Sequence, residues 1–424
     1  MLLSSLLDLY RLRRNQWLGT EELEEIQRKK LLAVIKHAYQ NVSYYRKLFD
    51  SAGVKPEDIK TVKDLTKIPI TTRLKLQQLP PEEIVAKGIN LNKCKKITTA
   101  GSSGIPLVVF LRKEDNDFYD MVWARTSLEN GRRLWDSTAY FKFHFPPKFW
   151  FERIGIWKKE IISLLDDPEK QIATLRRIKP DVIRGNVFQL VNLARIIKQK
   201  GLEGINPRLI FSMGSLLDYH SRELIESAFC AEVFDYYGAT ELGCIAWECS
   251  EHRGYHINID TVVVEFINKG RMTGLGKMGK IICTGLNSFA MPFIRYDTGD
   301  IGIPSDEKCP CGRGLPLLKS IEGRADDFFI SANGTLYSPS VVVNQIKLIP
   351  GISQFRIIQQ GERDVTAQVV PDKDFSLETS KKFKETMRKI MGNDLIINVK
   401  IFDKIPPDPS GKIGSLISKV KGEF

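Results

Sequence analysis

The chain has 424 residues, 42% of them hydrophobic, and a formal net charge of +12; at about 150 residues per domain, this is two or three domains with real cores. The positive charge suits anionic ligands such as nucleotides and phosphorylated cofactors, but it is spread along the chain without a polybasic arm, which argues against nucleic-acid binding. No run of about 18 uncharged apolar residues exists, which excludes a spanning helix, and seven cysteines without disulfide-like spacing fit a reduced, cytoplasmic protein.

In chain order, MLLSSLLDLYRLRRNQW is interrupted by Asp8 and Arg11 and has no preceding positive region. It reads as an amphipathic helix packed on the domain rather than a signal peptide, and membrane contact is not expected. TEELEEIQRKKLLAVIKHAYQ follows as a helix with Thr20 as its expected cap. Short charged helices and prolines fill 51–95. KKITTAGSSGIPLVVF then predicts a strand, a Gly/Ser/Thr turn and a second strand from Leu107 to Leu111. Helices are expected around 114–130 and 158–178. PDVIRGNVFQLVNLARIIKQKG and PRLIFSMGSLLDYHSRELIESAF each read strand, loop, helix, the first stopped by Gly201. AEVFDYYGATELG is another strand entering a loop. This alternation predicts an α/β fold with much parallel sheet.

From about 258 to 303 the pattern turns β-rich, with turns at 268–279. The last hundred residues place short strands (QFRIIQQ, DVTAQVV, NVKIF) around one amphipathic helix, 376–391. That texture predicts a small, separate α+β domain beginning near Asp326, giving domains 1–325 and 326–424.

TTAGSSGIP sets glycine N–H groups and Ser/Thr hydroxyls between two strands, an anion cradle in composition. No GK[ST] follows, so it is not a Walker loop. It is followed in order by YYGATELG (236–243), FIRYDTGD (293–300), GRADDFFISANG (323–334) and PSGKI (409–413). This ordered set resembles the adenylate-forming ligase superfamily. The spacing and the IRYDTGD form are similar to its phenylacetate–coenzyme A ligase branch, including related capsule-cluster proteins, and NVSYYRKLFDSAGVKPEDIKTVKDLTKIPITTR is similar to the opening of that branch. The resemblance covers essentially the whole chain.

It implies a large N-terminal adenylation domain of mixed sheets and helices, and a small C-terminal α+β domain that rotates on a hinge at Asp326. It implies activation of a carboxylic acid by ATP to acyl-AMP and pyrophosphate, then displacement of AMP by a thiol, usually that of coenzyme A. Thr99, Gly101, Ser102, Ser103 and Gly104 would hold the β- and γ-phosphates, although the lysine usual in this loop is Ile105 here. Thr240 would contact the α-phosphate and Glu241 would hold Mg²⁺. Tyr237, beside Gly238, would stack on adenine, with Ser212–Gly214 giving further adenine contacts. Asp300 would accept both ribose hydroxyls and Arg324 would assist from the ribose or phosphate side. Lys412, on the stiff PPDPSGKIG loop, would bridge the attacking carboxylate and the α-phosphate; Lys412, Glu241 and Thr240 form the expected catalytic set. His144 is a candidate gate of the acyl pocket, and Arg295 reads as structural, paired with a local carboxylate.

ECSEHRGYH and CPCGR place Cys249, His256, Cys309 and Cys311 at the spacing of a cysteine/histidine site found in members of that branch, with His252 as the alternative imidazole. Three thiolates and an imidazole match the tetrahedral preference of Zn²⁺, and a fully protein-liganded ion would be structural. YFKFHFPPKFWF is a candidate lining for an aryl or other bulky acid. Two other readings stay open. One passes the acyl group to a carrier-protein thiol or an amine, as the capsule relation suggests. The other, prompted by Ile105, is a non-catalytic nucleotide-binding scaffold. A homodimer is allowed, and the identity of the acid has no motif.

Overall fold

The computed structural model describes residues 2–99, 107–142, 150–331, 335–406 and 416–420. Its main feature is a twelve-stranded sheet. One half is parallel, in the order Lys159–Ser163, Thr138–Lys142, Val182–Asn186, Leu209–Met213 and Glu232–Ala239. The other half, starting with Gly243–Glu248 against Glu232–Ala239, is antiparallel.

Local chemistry accounts for the parallel half. Asn186 caps the helix Val187–Lys200, its side chain accepting from the Gln189 N–H at 2.7 Å, and Gly201 ends it in the left-handed region at φ +57°. The apolar stripe Leu190, Leu193, Ala194 and Ile197 then buries against Ile183 and Ile210 of the sheet. Asp218 caps the next helix, Tyr219–Phe229, in the same way.

The N-terminal helix Leu2–Asn15 packs on the domain through buried Leu12. Its Leu12 carbonyl accepts from Arg125 of the helix Lys113–Glu129, and Arg125 is also paired, fully buried, with Asp260. No helix among the described residues is long and apolar enough to cross a membrane.

Three local expectations need correction. Residues 158–178 are not one helix: Lys159–Ser163 is a strand and the helix is Pro168–Ile178. The run KEIIS finds a parallel partner in Thr138–Lys142, so tertiary pairing outweighs helical period there. Thr20 is the first helical residue, not the cap; Gly19 precedes it in extended conformation, and its N–H donates to Glu22. SPSVVVNQIK, rich in β-branched residues, holds the unanticipated helix Pro339–Lys347, because Ser338 caps it and Pro339 opens it.

After Arg324 the chain passes through a short 3₁₀ turn, Ala325–Asp327, a paired Phe329–Ile330 and Leu336–Tyr337, and the helix Pro339–Lys347 before a separate sheet of four strands. These elements, with the helix Leu377–Met391, share a core of their own that includes Phe329, Val342, Ile357, Val369, Phe383 and Met387.

Candidate active site

The C-terminal ends of the parallel strands, where ligands collect in open α/β sheets, border a cavity of about 650 Å³. Glu232–Ala239 ends there, and the chain turns through Thr240 and Glu241 into Gly243–Glu248. The turn is tight: a Cβ at Gly238 would lie 2.5 Å from the Gly243 carbonyl oxygen, so only glycine fits. Glu241 is buried at 6% exposure yet lines the cavity. Its Oε1 accepts from the Tyr296 hydroxyl at 2.6 Å. Burial, then the Glu241 charge, push the Tyr296 phenol well above its ordinary value, so that it donates at every working pH.

The second group joins three distant motifs. Asp300 sits opposite Arg324 in the antiparallel register, and Tyr237 donates its hydroxyl to Asp300 Oδ2 at 2.9 Å. Burial lowers the Arg324 pKa, but Asp300, Asp327 and Asp326 outweigh it and raise the value. Gly299, at φ +79°, has Arg324 Nη2 only 2.6 Å from where its Cβ would stand, so the RYDTGD glycine makes room for the guanidinium. Gly214, at φ +79°, Tyr237, Gly238, Thr240, Asp300 and Arg324 all line the same cavity.

Thr99 lies at the base of the hairpin Lys95–Thr98/Val108–Leu111. Its backbone and hydroxyl both bond to Leu107, which fixes where the intervening loop starts and ends. Gly101, Ser102, Ser103, Gly104 and Ile105 lie outside the described residues, as do His144 and Lys412. Sequence reading missed Arg73. This residue lines the cavity, donates to the Thr99 hydroxyl and lowers the Tyr296 pKa by its charge. It arrives because Thr71 is strapped to the IRYDTGD segment: its N–H donates to the Arg295 carbonyl, and its carbonyl accepts from Asp297 N–H, both at 2.9 Å. Arg295 itself is structural, paired with buried Glu265 at 3.0 Å.

Comparison with known proteins bears on this arrangement. Residues 329–419 match the family model described as the CapK C-terminal domain. The phenylacetate–coenzyme A ligase of Escherichia coli is 28% identical over 380 residues, 85% of this chain and 84% of that one. That of Thermus thermophilus is 24% identical over 394 residues, 89% and 86% of the two chains. A 2-hydroxyisobutyryl-CoA ligase in its postadenylation state superposes with a TM-score of 0.82 at 18% identity, over 96% of this chain and 91% of that one. The chain has the fold of the adenylate-forming ligases and is similar to phenylacetate–coenzyme A ligases over most of its length. Its enzyme class is that of an AMP-forming acid–thiol ligase. The same 2-hydroxyisobutyryl-CoA ligase in its thioesterification state superposes less well, at 0.67, again over 96% and 91% of the two chains.

Two further features lie outside the nucleotide motifs. Cys249, His256, Cys309 and Cys311 converge with all four donor atoms within 4.8 Å of one another. Cys249 Sγ is 3.6 Å from Cys309 Sγ and 3.4 Å from His256 Nε2, and Cys311 Sγ is 3.3 Å from that same nitrogen. Burial, then Arg313, hold His256 down at about 4, so it is neutral with a lone pair to offer. His252, the alternative imidazole, faces Glu232 at 3.0 Å and Glu248 at 3.5 Å instead. The second feature is a contact between the two sheets' bodies. Lys347 of the helix Pro339–Lys347 reaches Asp218 Oδ2 at 2.6 Å and Ser221 Oγ at 2.8 Å, at the edge of the cavity.

Proposed function

We propose that this ligase activates an aryl or other bulky carboxylic acid with ATP and transfers the acyl group to the thiol of coenzyme A. The observation that carries the reading is the convergence of Glu241, Asp300 and Arg324, from three distant motifs, on one cavity. Phenylacetate–coenzyme A ligases that align over most of the chain support it. In the first half-reaction a carboxylate oxygen of the acid attacks the α-phosphorus and pyrophosphate leaves. In the second, the thiolate attacks the acyl carbon and AMP leaves.

Asp300, fixed by Tyr237 and Arg324, takes the ribose hydroxyls; Tyr237 and Gly214 frame adenine. Thr240 and Lys412 meet the reacting phosphate, Lys412 stabilising charge that builds in the transition state. Thr99 with Gly101, Ser102, Ser103 and Gly104 cradle the β- and γ-phosphates. Arg73 supplies a cation next to this loop, where Ile105 supplies none. Glu241 is the ligand for Mg²⁺, a hard dication that takes oxygen donors and neutralises phosphate charge. Asp326 is the hinge, lying between Arg324 of the large sheet and Phe329 of the small domain's core.

The four-residue cysteine/histidine cluster fits structural Zn²⁺. Bonds of about 2.1–2.3 Å to a tetrahedral ion place neighbouring donors about 3.4–3.8 Å apart, close to the separations seen. It would staple the loop after Glu248 to the loop before Leu317.

A second reading keeps adenylation and changes the acceptor to a carrier-protein thiol or an amine. The match of residues 329–419 to the CapK C-terminal domain, a family model distinct from the ligases aligned over the whole chain, supports it. The test is pyrophosphate release over a panel of acids, with and without coenzyme A. Acid-dependent release with coenzyme A consumption supports the leading reading, and release without consumption supports the second. No release with any acid, despite bound ATP, supports a scaffold.

A further inference from the structure

The parallel strands carry a second set of side chains on the face covered by the helix Lys113–Glu129, beyond those assigned above. Arg184 stands in Val182–Asn186, in register with Tyr140 on one side and Phe211 on the other. Its guanidinium carbon is 4.4 Å from the centre of the Trp123 ring and 5.6 Å from that of Tyr140, and Nη2 is 3.8 Å from Met213 Sδ. Lys142, two residues beyond Tyr140, has its ammonium 5.7 Å from the same tyrosine ring. Among the described residues neither cation is paired with a carboxylate; they face rings and a thioether.

The local field agrees with the geometry. Burial alone would raise the Tyr140 phenol, yet Arg184, Arg132 and Lys159 together bring it below its ordinary value. Burial lowers the Lys142 amine; Tyr140 opposes this, and Lys159, Arg184 and Lys95 add to the lowering. A half-buried guanidinium without a counter-charge is costly. Here two aromatic faces hold it by cation–π attraction and fix its plane, which pre-organises a planar donor fork for a carboxylate-like anion.

This cluster meets the nucleotide cavity at Tyr236. Tyr236 lines the cavity, its ring is 5.6 Å from that of Trp123, and it pairs with Met213. Met213 leads directly into Gly214, and Tyr236 into Tyr237. Arg184 lies two residues, about 6–7 Å, back from the strand end at Asn186. A molecule running from the reacting centre past Tyr236 would meet Arg184 at its far end.

We infer that Arg184 and Lys142 form the distal wall of the acyl pocket, and that the preferred acid carries a second anionic group remote from the carboxylate being activated. The inference rests on the acid-activating reading above and names its substrate class: a dicarboxylic or otherwise dianionic bulky acid. Its basis is a rule of polar specificity, that a site built to pair a group rejects analogues lacking it.

The test compares kcat/KM for pyrophosphate release between phenylacetate and 4-carboxyphenylacetate, and between matched longer acids with and without a terminal carboxylate. The wild-type protein is expected to prefer the dianionic member of at least one pair by about a hundredfold. Arg184→Met should remove most of that preference, and Arg184→Lys should restore part of it, which a packing role alone would not do. A preference for the neutral members, or equal losses on both members in Arg184→Met with no rescue by lysine, overturns the inference while leaving the ligase reading intact. No release with any acid overturns the ligase reading, and this inference with it.

Discussion

The two walls of the cleft are built on different terms. On the nucleotide wall the two carboxylates that face the nucleotide already have local partners: Glu241 the Tyr296 hydroxyl, Asp300 the Tyr237 hydroxyl and Arg324. On the acyl wall cations gather around aromatic rings with no described carboxylate among them. A wall that meets an invariant ligand can be pre-assembled. A wall that meets a particular substrate leaves part of the pairing to that substrate. If this contrast is sound, substitutions on the nucleotide wall should abolish chemistry for all acids alike, and substitutions on the acyl wall should redistribute it among acids.

The largest effect is expected at the residue that the resemblance assigns to the adenylation step. Lys412→Ala should lower acid-dependent pyrophosphate release by about 10²–10³-fold, the range for removing one transition-state donor, for every acid tested. Thiol transfer from a supplied acyl-adenylate should stay within a few-fold. Equal losses in both half-reactions would contradict the role. Glu241→Gln should follow at about a hundredfold, accompanied by a higher Mg²⁺ requirement in a titration of initial rates. If Mg²⁺ dependence is unchanged, the metal is held elsewhere. Asp300→Ala should act mainly through the KM for ATP, since ribose contacts are made equally in ground and transition states.

The contrast between the walls also explains what was legible in the sequence. Thr240, Glu241, Asp300 and Arg324 lie in contiguous, ordered motifs, because backbone turns at Gly238 and Gly299 must accompany them. Cys309 and Cys311 with Cys249 and His256 could be read from spacing and donor chemistry. His256 rather than His252 was the imidazole expected there, and packing turns His252 away to Glu232 and Glu248 instead. Arg73 was invisible. Its place depends on two backbone bonds between Thr71 and the IRYDTGD segment, more than 220 residues away. Arg184 was equally hidden, since parallel register with Tyr140 and Phe211 is a property of three strands together. The strand Lys159–Ser163 and the helix Pro339–Lys347 went unread for related reasons: a distant partner in one case and a cap in the other.

The cysteine/histidine cluster lies outside both walls and should respond to neither acid nor ATP. Elemental analysis is expected to find zinc bound in near-equimolar amount. Cys309→Ser, or prolonged chelation, should cost a few kcal/mol of stability, read as a fall of several degrees in Tm. The ratio of rates for different acids should not move. A Tm unaffected by chelator in a zinc-free preparation would remove the ion from the account.

The smallest effect is expected where the two bodies touch. Burial raises the Asp218 carboxyl, but Lys347 and Ser221 outweigh it and hold the value below the usual carboxylate range. For Lys347 the balance falls the other way, and burial pushes its amine down despite Asp218. Attraction and desolvation nearly offset each other in such a pair. On the hinge proposed at Asp326, that suits a contact which the small domain makes and releases in each cycle. Lys347→Met should therefore slow pyrophosphate release only two- to five-fold, about 0.4–1 kcal/mol, and leave thiol transfer from supplied acyl-adenylate unchanged or slightly faster. The loss should be the same for every acid, because the contact belongs to neither wall. A change in acid preference would show instead that the small domain shapes the acyl pocket, and the division between the two walls would have to be redrawn.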